Sequence, residues 1–237
     1  MTFAKKKVSQ RYLGKLGKKY HDLFPEPSTD LARQGQAGYF RKFCSNQSVL
    51  LDFGCANGLM LRCLPARERI GIEVNPYARK ACIEQSEKES IPITVHEGLD
   101  KVQSNYVDVV ISNHCLEHVL DPYNTLCEIL RILKPEGTLV LVLPYDDFRA
   151  VHMRRWVPND VNNHLYTWTP MLIGNLLTEV GFKVEFTSIY ARSLISRKYW
   201  VRSVFGDTVF RILRYLICTF RHRREVFCVA KRTQDSK

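Results

Sequence analysis

Residues 49–58 read Val49-Leu50-Leu51-Asp52-Phe53-Gly54-Cys55-Ala56-Asn57-Gly58: an apolar run, one carboxylate, then a turn bounded by glycines. Val49, Leu50 and Leu51 suit a strand buried on both faces, and Leu59, Met60 and Leu61 restart an apolar pattern at helical spacing. Gly54 and Gly58 bracket a tight strand-to-helix turn whose missing Cβ atoms would let backbone N–H groups approach a ligand. The helix N-terminus just beyond would favour a carboxylate or phosphate.

Working outward, Arg69 to Glu73 reads as a second strand ending in an acid, and Asn75-Pro76 opens a helix. An acid at such a strand end accepts hydrogen bonds from ribose hydroxyls in nucleoside-binding α/β folds. Ile91 to Val95 predicts a third strand and Val107 to Ser112 a fourth, with the loop Gly98-Leu99-Asp100 between them. After the fourth strand stands Asn113-His114-Cys115-Leu116-Glu117-His118-Val119-Leu120-Asp121-Pro122. A helix over Tyr123–Leu133, the turn Lys134-Pro135-Glu136-Gly137 and an apolar strand Thr138–Leu143 come next. His164-Leu165-Tyr166-Thr167 precedes a helix ending at Val180, and Gly181-Phe182 leads into strands at Lys183–Tyr190 and Glu225–Ala230. A nicotinamide-type G-x-G-x-x-G turn would need glycine or alanine at positions 54, 56 and 59, and position 59 is Leu59.

These segments together resemble the class I S-adenosylmethionine-dependent methyltransferases, closest to the ubiquinone/menaquinone-methyltransferase-like subgroup, over residues 48–190. The family turn Leu-Asp-x-Gly-x-Gly-x-Gly is matched at Leu51, Asp52, Gly54 and Gly58. Ala56 replaces the middle glycine, which is tolerable if Ala56 keeps a negative φ. Leu116-Glu117-His118-Val119 with Asp121-Pro122, and the Lys134–Gly137 turn with its apolar strand, are further family marks. The resemblance implies an α/β, doubly wound, mostly parallel, Rossmann-like sheet of seven strands, with an antiparallel last strand and a helical insertion before it. It implies S-adenosyl-L-methionine as cofactor, held by Asp52, Gly54, Cys55, Ala56, Asn57 and Gly58 of the turn, Glu73, Val74 and Asn75 beyond the second strand, Gly98 and Leu99, and Asn113. Leu99 stands where the family usually has an acid after glycine, so Asp100 and the loop backbone are both candidates for reading adenine.

A chain of 237 residues, 45% hydrophobic, suits one α/β domain. Its expected parts are a basic N-terminal segment or lid (1–47), the cofactor-binding core (48–190), a basic amphipathic insertion (191–223), and the last strand with its tail (224–237). Met1 to Gln10 lacks an apolar run and no stretch is long enough to span a bilayer, so a cytoplasmic protein is expected. The eight cysteines form no C-x-x-C pair and read as reduced thiols; Cys55 matters through its backbone more than its sulfur. Residues 1–20 carry +7 and residues 183–237 carry +9 of the net charge of +11, leaving a mildly acidic centre. Basic ends suit an anionic partner, such as the inner face of a membrane, nucleic acid or a phosphorylated substrate, or a merely solvated surface. In the insertion, Asp207 is the expected N-cap of a helix with Val209, Leu213, Leu216 and Phe220 on one face and Arg211, Arg214 and Arg221 on the other. That apolar stripe can dock on the core or lie in a membrane interface. Leu13, Leu16 and Tyr20 form a weaker stripe near the start.

Methyl transfer from a sulfonium needs in-line alignment and exclusion of water, and a base only when the acceptor must lose a proton. His164 is the first candidate for that role or for orienting the acceptor and His114 the second, while His118 reads as structural. Tyr145, Trp156, Tyr166 and Trp168 could flank an apolar or sugar-like acceptor or serve in packing. Histidine and cysteine spacing shows no metal signature. The expected acceptor is a small molecule, glycan or lipid-linked compound, methylated at oxygen. RNA is less favoured, because Asn113-His114-Cys115 lacks the Asn-Pro-Pro-Tyr pattern of many nucleic-acid amino methyltransferases. A non-catalytic cofactor-binding protein is the remaining alternative.

Overall fold

In the computed structural model, the described residues are 8–25, 35, 37–145, 155, 156, 160, 163–191, 204–206, 208–210, 212, 213, 215, 216 and 224–234. Helix α1 (Gly14–Leu23) precedes the alternating body. That body comprises β1 (Val49–Phe53), α2 (Leu59–Cys63), β2 (Glu68–Ile72), α3 (Pro76–Lys88), β3 (Thr94–His96), β4 (Val107–Asn113), α4 (Pro122–Ile132), β5 (Leu133–Tyr145), α5 (Pro170–Val180), β6 (Phe182–Ala191) and β7 (Arg224–Arg232). The seven strands form one sheet in the order β3-β2-β1-β4-β5-β7-β6. β7 runs antiparallel to both β5 and β6, while the pairs from β3 through β5 are parallel. This is the expected doubly wound sheet with an antiparallel last strand.

Alternation in β1 and β4 divides the core between the two faces. Val49, Leu51 and Val110 join Leu126, Ile129 and Leu133 in one apolar cluster, and Leu50 and Ile111 join Phe40, Leu61 and Phe227 in the other. Phe40 and Ala37, both fully buried, tie the segment before β1 to the second cluster.

Local chemistry sets the boundaries. Asn75 caps α3 through Tyr77 N–H with Pro76 behind it, Asp121 caps α4 with Pro122, and Thr169 caps α5 with Pro170. Gly181, at φ +106°, ends α5 in the left-handed conformation before β6. β3 starts at Thr94 rather than Ile91, because Pro92 has no N–H to give a ladder and Ile91 N–H bonds to Ser86 O. β5 starts earlier than expected, at Leu133, which pairs with Val107 before residues 134–137 bulge out opposite Asp108. The Asp108 carboxylate holds that bulge by accepting from Lys134 Nζ at 2.6 Å and from Val49 N–H at 2.8 Å.

In the expected insertion, the described residues 204–206, 208–210, 212, 213, 215 and 216 are helical; Val209, Leu213 and Leu216 are exposed and Phe210 is buried. Asp207, Arg211, Arg214, Phe220 and Arg221 lie outside the described residues. No helix among the described residues is long and apolar enough to cross a membrane.

Candidate active site

The strand order reverses beside β1, and the ends of β1, β2 and β4 meet there, at the carboxyl edge where such sheets bind ligands. The turn after β1 is closed largely by the protein's own backbone. Gly54 and Cys55 both donate N–H groups to Ile72 O, at 2.8 and 3.0 Å, and Gly58 N–H bonds to Cys55 O at 2.7 Å. These donors do not face an open cradle, contrary to the expectation drawn from the glycines. The helix that follows the turn, α2, has five residues, too short for the helix-end attraction expected there.

The glycines make room for thiols. A Cβ on Gly54 would stand 2.4 Å from Cys115 Sγ, one on Gly58 2.4 Å from Cys82 Sγ, and one on Gly71 2.6 Å from Cys55 Sγ. Gly54 and Gly58 also take φ of +83° and +79°. Ala56 adopts φ +47°, not the negative value its side chain favours. A left-handed alanine is strained by about 1–2 kcal/mol, so here the turn geometry overrides residue preference.

Glu73 stands one residue beyond β2 and stitches the turn to the next helix. Its Oε2 accepts from Ala56 N–H at 2.9 Å and its Oε1 from Asn75 N–H at 2.8 Å. Each oxygen keeps a second lone pair, the acceptor capacity two vicinal hydroxyls require. Burial pushes the Glu73 carboxyl up, partly countered by these backbone bonds and Arg79. Arg79 Nη1 in turn donates to the carbonyls of Glu73 and Val74, fixing the Val74 backbone. Asp52, at the end of buried β1, has its carboxyl raised to about 8 by burial, with Glu73 adding to it. The Glu73 carboxylate, with the buried Asp52 acid beside it, suits a ligand that carries hydroxyls.

The third strand's loop is compact. Leu99 is buried, and Gly98 leaves space for the Asp100 carboxylate, whose Oδ1 would lie 2.5 Å from a Cβ there. Asn113 ends β4, half-buried. Helix α1 closes over this edge. Asn75 Nδ2 donates to Gly17 O at 2.8 Å, and a cavity of about 290 Å³ opens between His21, Asp22 and Phe24 on one side and Asn57, Ala81 and Gln85 on the other.

A polar and aromatic cluster lies past β4. His114, at φ +52°, places Nε2 2.9 Å from Glu225 Oε1 and Nδ1 3.4 Å from Glu117 Oε1. Burial opposes its charge, but Glu117 and Glu225 outweigh that and raise it to about 9. His114 thus stands as an imidazolium clamped by two carboxylates, not a group ready to take a proton. His118 Nδ1 lies 3.3 Å from Asn163 O, and burial lowers its pKa, so it is neutral. The His164 ring meets His118 edge-on at 5.0 Å, and Tyr12 and Tyr20 meet the same imidazole at 5.6 and 6.4 Å. Glu117 O organises this loop by accepting from Leu165 and Tyr166 N–H groups. Of the expected aromatics, Trp168 belongs to the core and Tyr145 packs against it, whereas Trp156 is 86% exposed. The sequence places Glu117 in a family mark and Tyr20 on an N-terminal stripe but assigns neither to the site, and it does not single out Tyr12 or Glu225; Glu225 opening an otherwise apolar strand was the available signal.

This fold and edge chemistry accord with the comparisons. The chain belongs to the methyltransferase-domain family, whose model matches residues 11–186. No curated protein sequence matches it. Among solved structures, it resembles Haemonchus contortus phosphoethanolamine N-methyltransferase 2 in complex with S-adenosyl-L-methionine, at 15% identity and TM-score 0.66, over 98% of this chain and 62% of that one. It also resembles geranyl diphosphate C-methyltransferase from Streptomyces coelicolor A3(2), at 16% identity and TM-score 0.63, over 91% and 96%. A third similar structure is the [4+2]-cyclase SpnF, at 16% identity and TM-score 0.60, over 85% and 81%. At these identities the likeness concerns the fold.

Proposed function

We propose that the chain is an S-adenosyl-L-methionine-dependent methyltransferase that methylates a small-molecule, glycan or lipid-linked acceptor at oxygen. Within the family, its Leu-Glu-His-Val segment and Lys-Pro-Glu-Gly turn favour the ubiquinone/menaquinone-like subgroup. The carrying observation is Glu73, held to Ala56 and Asn75 with lone pairs left over for ribose hydroxyls. The cofactor supplies an electrophilic methyl group on a positively charged sulfur. Glu73 supplies the complementary negative field, Asp52 stands beside it as a buried acid, and Gly98, Leu99 and Asn113 line the same edge. Cys55, Asn57 and Gly58 act through the shape of the turn.

The cluster of His114, Glu117, His118, His164, Tyr12 and Tyr20 is the acceptor side. His164 orients the acceptor or takes its proton, whereas His114, already charged, positions Glu117 and Glu225. Helix α1 acts as a lid that excludes water, tied down by Asn75. The basic ends suit acceptors carrying phosphate, as in lipid-linked intermediates, and peripheral contact with an anionic membrane. Calorimetry with S-adenosylhomocysteine, then transfer of labelled methyl groups to lipid, glycan and RNA fractions, tests this reading. Binding with labelling of a lipid or glycan fraction is expected; a chain that binds no cofactor refutes it.

A further inference from the structure

We infer that Glu117, His118 and His164 form a binding site for one divalent transition-metal ion beside the proposed acceptor pocket. The three residues each offer one donor atom, and these atoms lie within 4.8 Å of one another. Around an ion with bonds of about 2.0–2.2 Å, donor atoms stand about 3.3–3.5 Å apart, so modest rotation of the half-buried His164 completes the set.

Two further observations point to a ligand. Glu117 is fully buried, yet neither carboxylate oxygen has a hydrogen-bond partner among the described residues. Its closest cationic or imidazole neighbours, His114 Nδ1 at 3.4 Å and His118 Nε2 at 3.9 Å, stand beyond good hydrogen-bond length. The His114 imidazolium is shared with Glu225, its nearer partner at 2.9 Å, so the buried Glu117 carboxylate keeps acceptor capacity for a second cation.

The second observation concerns His118. Asn163 O can only accept, so Nδ1 must carry the hydrogen in the 3.3 Å contact between them. Nε2 is then the ring atom left to face the Glu117 carboxylate, 3.9 Å away. That separation is too long for a hydrogen bond but leaves room for an ion bonded to both atoms. A histidine whose far nitrogen is tied to a backbone carbonyl is also the usual form of a metal-bound histidine. Asn163 is itself held at φ +49° with its N–H on Asp160 Oδ2, so the loop fixes that carbonyl.

The donor set is two imidazoles and one carboxylate, which suits Zn²⁺ and its first-row neighbours over Mg²⁺ or Ca²⁺. The spacing of residues 117, 118 and 164 hides it from sequence, since the backbone bonds from Leu165 and Tyr166 to Glu117 O bring the parts together. A metal there would fix an acceptor oxygen near the cofactor edge, with His164 acting through the ion and not as a base; that role rests on the methyl-transfer reading, whereas the site itself does not.

The test uses the full purified chain, stripped with a chelator and titrated with Zn²⁺ by calorimetry without any cofactor. One ion per chain should bind. His118→Gln and His164→Gln should each weaken binding by more than about 100-fold, beyond the loss caused by removing only a supporting group. His96→Gln, outside the cluster, should bind as wild type. Co²⁺ in place of Zn²⁺ should show no thiolate bands, because the set contains no sulfur. No uptake by the wild-type chain, thiolate bands, or unchanged uptake when both histidines are replaced would each overturn the site. S-adenosylhomocysteine binding, measured separately, tells failure of the methyl-transfer reading apart from failure of the metal site and shows that the variants fold.

Discussion

Glu73 Oε2 accepts a 2.9 Å hydrogen bond from the backbone N–H of Ala56, joining the acid after β2 to the left-handed alanine in the turn after β1. The bond explains how an alanine can occupy a glycine conformation, because the carboxylate holds the strained peptide in place. It also couples the turn to any ligand that Glu73 binds.

Glu73→Ala removes two backbone acceptors and the proposed ribose contacts together. Affinity for S-adenosylmethionine should fall by about 2–3 kcal/mol, the worth of charge-assisted bonds lost at a buried site. Thermal stability should fall as well, since the N–H groups of Ala56 and Asn75 lose their acceptor. Calorimetry with unchanged affinity would remove Glu73 from the cofactor site.

Ala56→Gly should relieve the left-handed strain. The gain is about 1 kcal/mol at most, because glycine also loses more freedom on folding. Ala56→Val should do the opposite and cost more than alanine does, as a β-branched residue at φ +47° is an outlier. Melting temperatures ordered Gly, Ala, Val from highest to lowest would bear this out.

Much of the fold was legible because β1, β4 and β5 are apolar on both faces and their helices carry explicit Asn-Pro, Asp-Pro and Thr-Pro starts. The acid at Glu73 was legible for the same reason: its place at a strand end is local. Glu225 was not, because it reaches His114 only through the antiparallel register that sets it opposite Pro144 and Tyr190. The glycines misled in a physical way. A glycine marks a place where a Cβ does not fit, but the sequence does not say whether a ligand or a cysteine fills the space.

Asp52 predicts the pH dependence of stability. Its folded-state pKa, raised to about 8, lies above the unfolded value near 3.9, so the folded chain binds the extra proton. Its contribution is therefore neutral at low pH and increasingly destabilising as pH climbs from about 4 to 8. Asp52→Asn should flatten that decline and stabilise the chain at pH 8 by an amount on the order of a few kcal/mol. Denaturant midpoints at pH 5 and pH 8 measure it. A wild-type midpoint that does not fall relative to the variant's would contradict the assignment.

Glu225→Ala should leave the His114 imidazolium without its 2.9 Å partner in a largely buried position. Breaking a buried pair from one side costs about 3 kcal/mol or more. Glu225→Gln keeps an acceptor oxygen in place, so it should cost less. Denaturant unfolding of both variants at pH 7 checks the order.

Gly54→Ala separates the two meanings of that glycine. An added Cβ would meet Cys115 Sγ at 2.4 Å and Cys115 Cβ at 2.6 Å, and the residue holds φ +83°. Overpacking costs about 1–3 kcal/mol and the left-handed backbone about 1–2 more, so the variant should lose several kcal/mol before any ligand is added. Cys115→Gly would remove both clashing atoms but leave the backbone strain. The double variant should therefore recover the packing share of the loss and not the conformational share. A ligand-clearance role makes a different forecast: near-normal stability in Gly54→Ala, weakened cofactor binding, and no rescue from Cys115→Gly. Thermal unfolding of the two single variants and the double, each with and without S-adenosylhomocysteine, distinguishes a glycine kept for a neighbouring thiol from one kept for the cofactor.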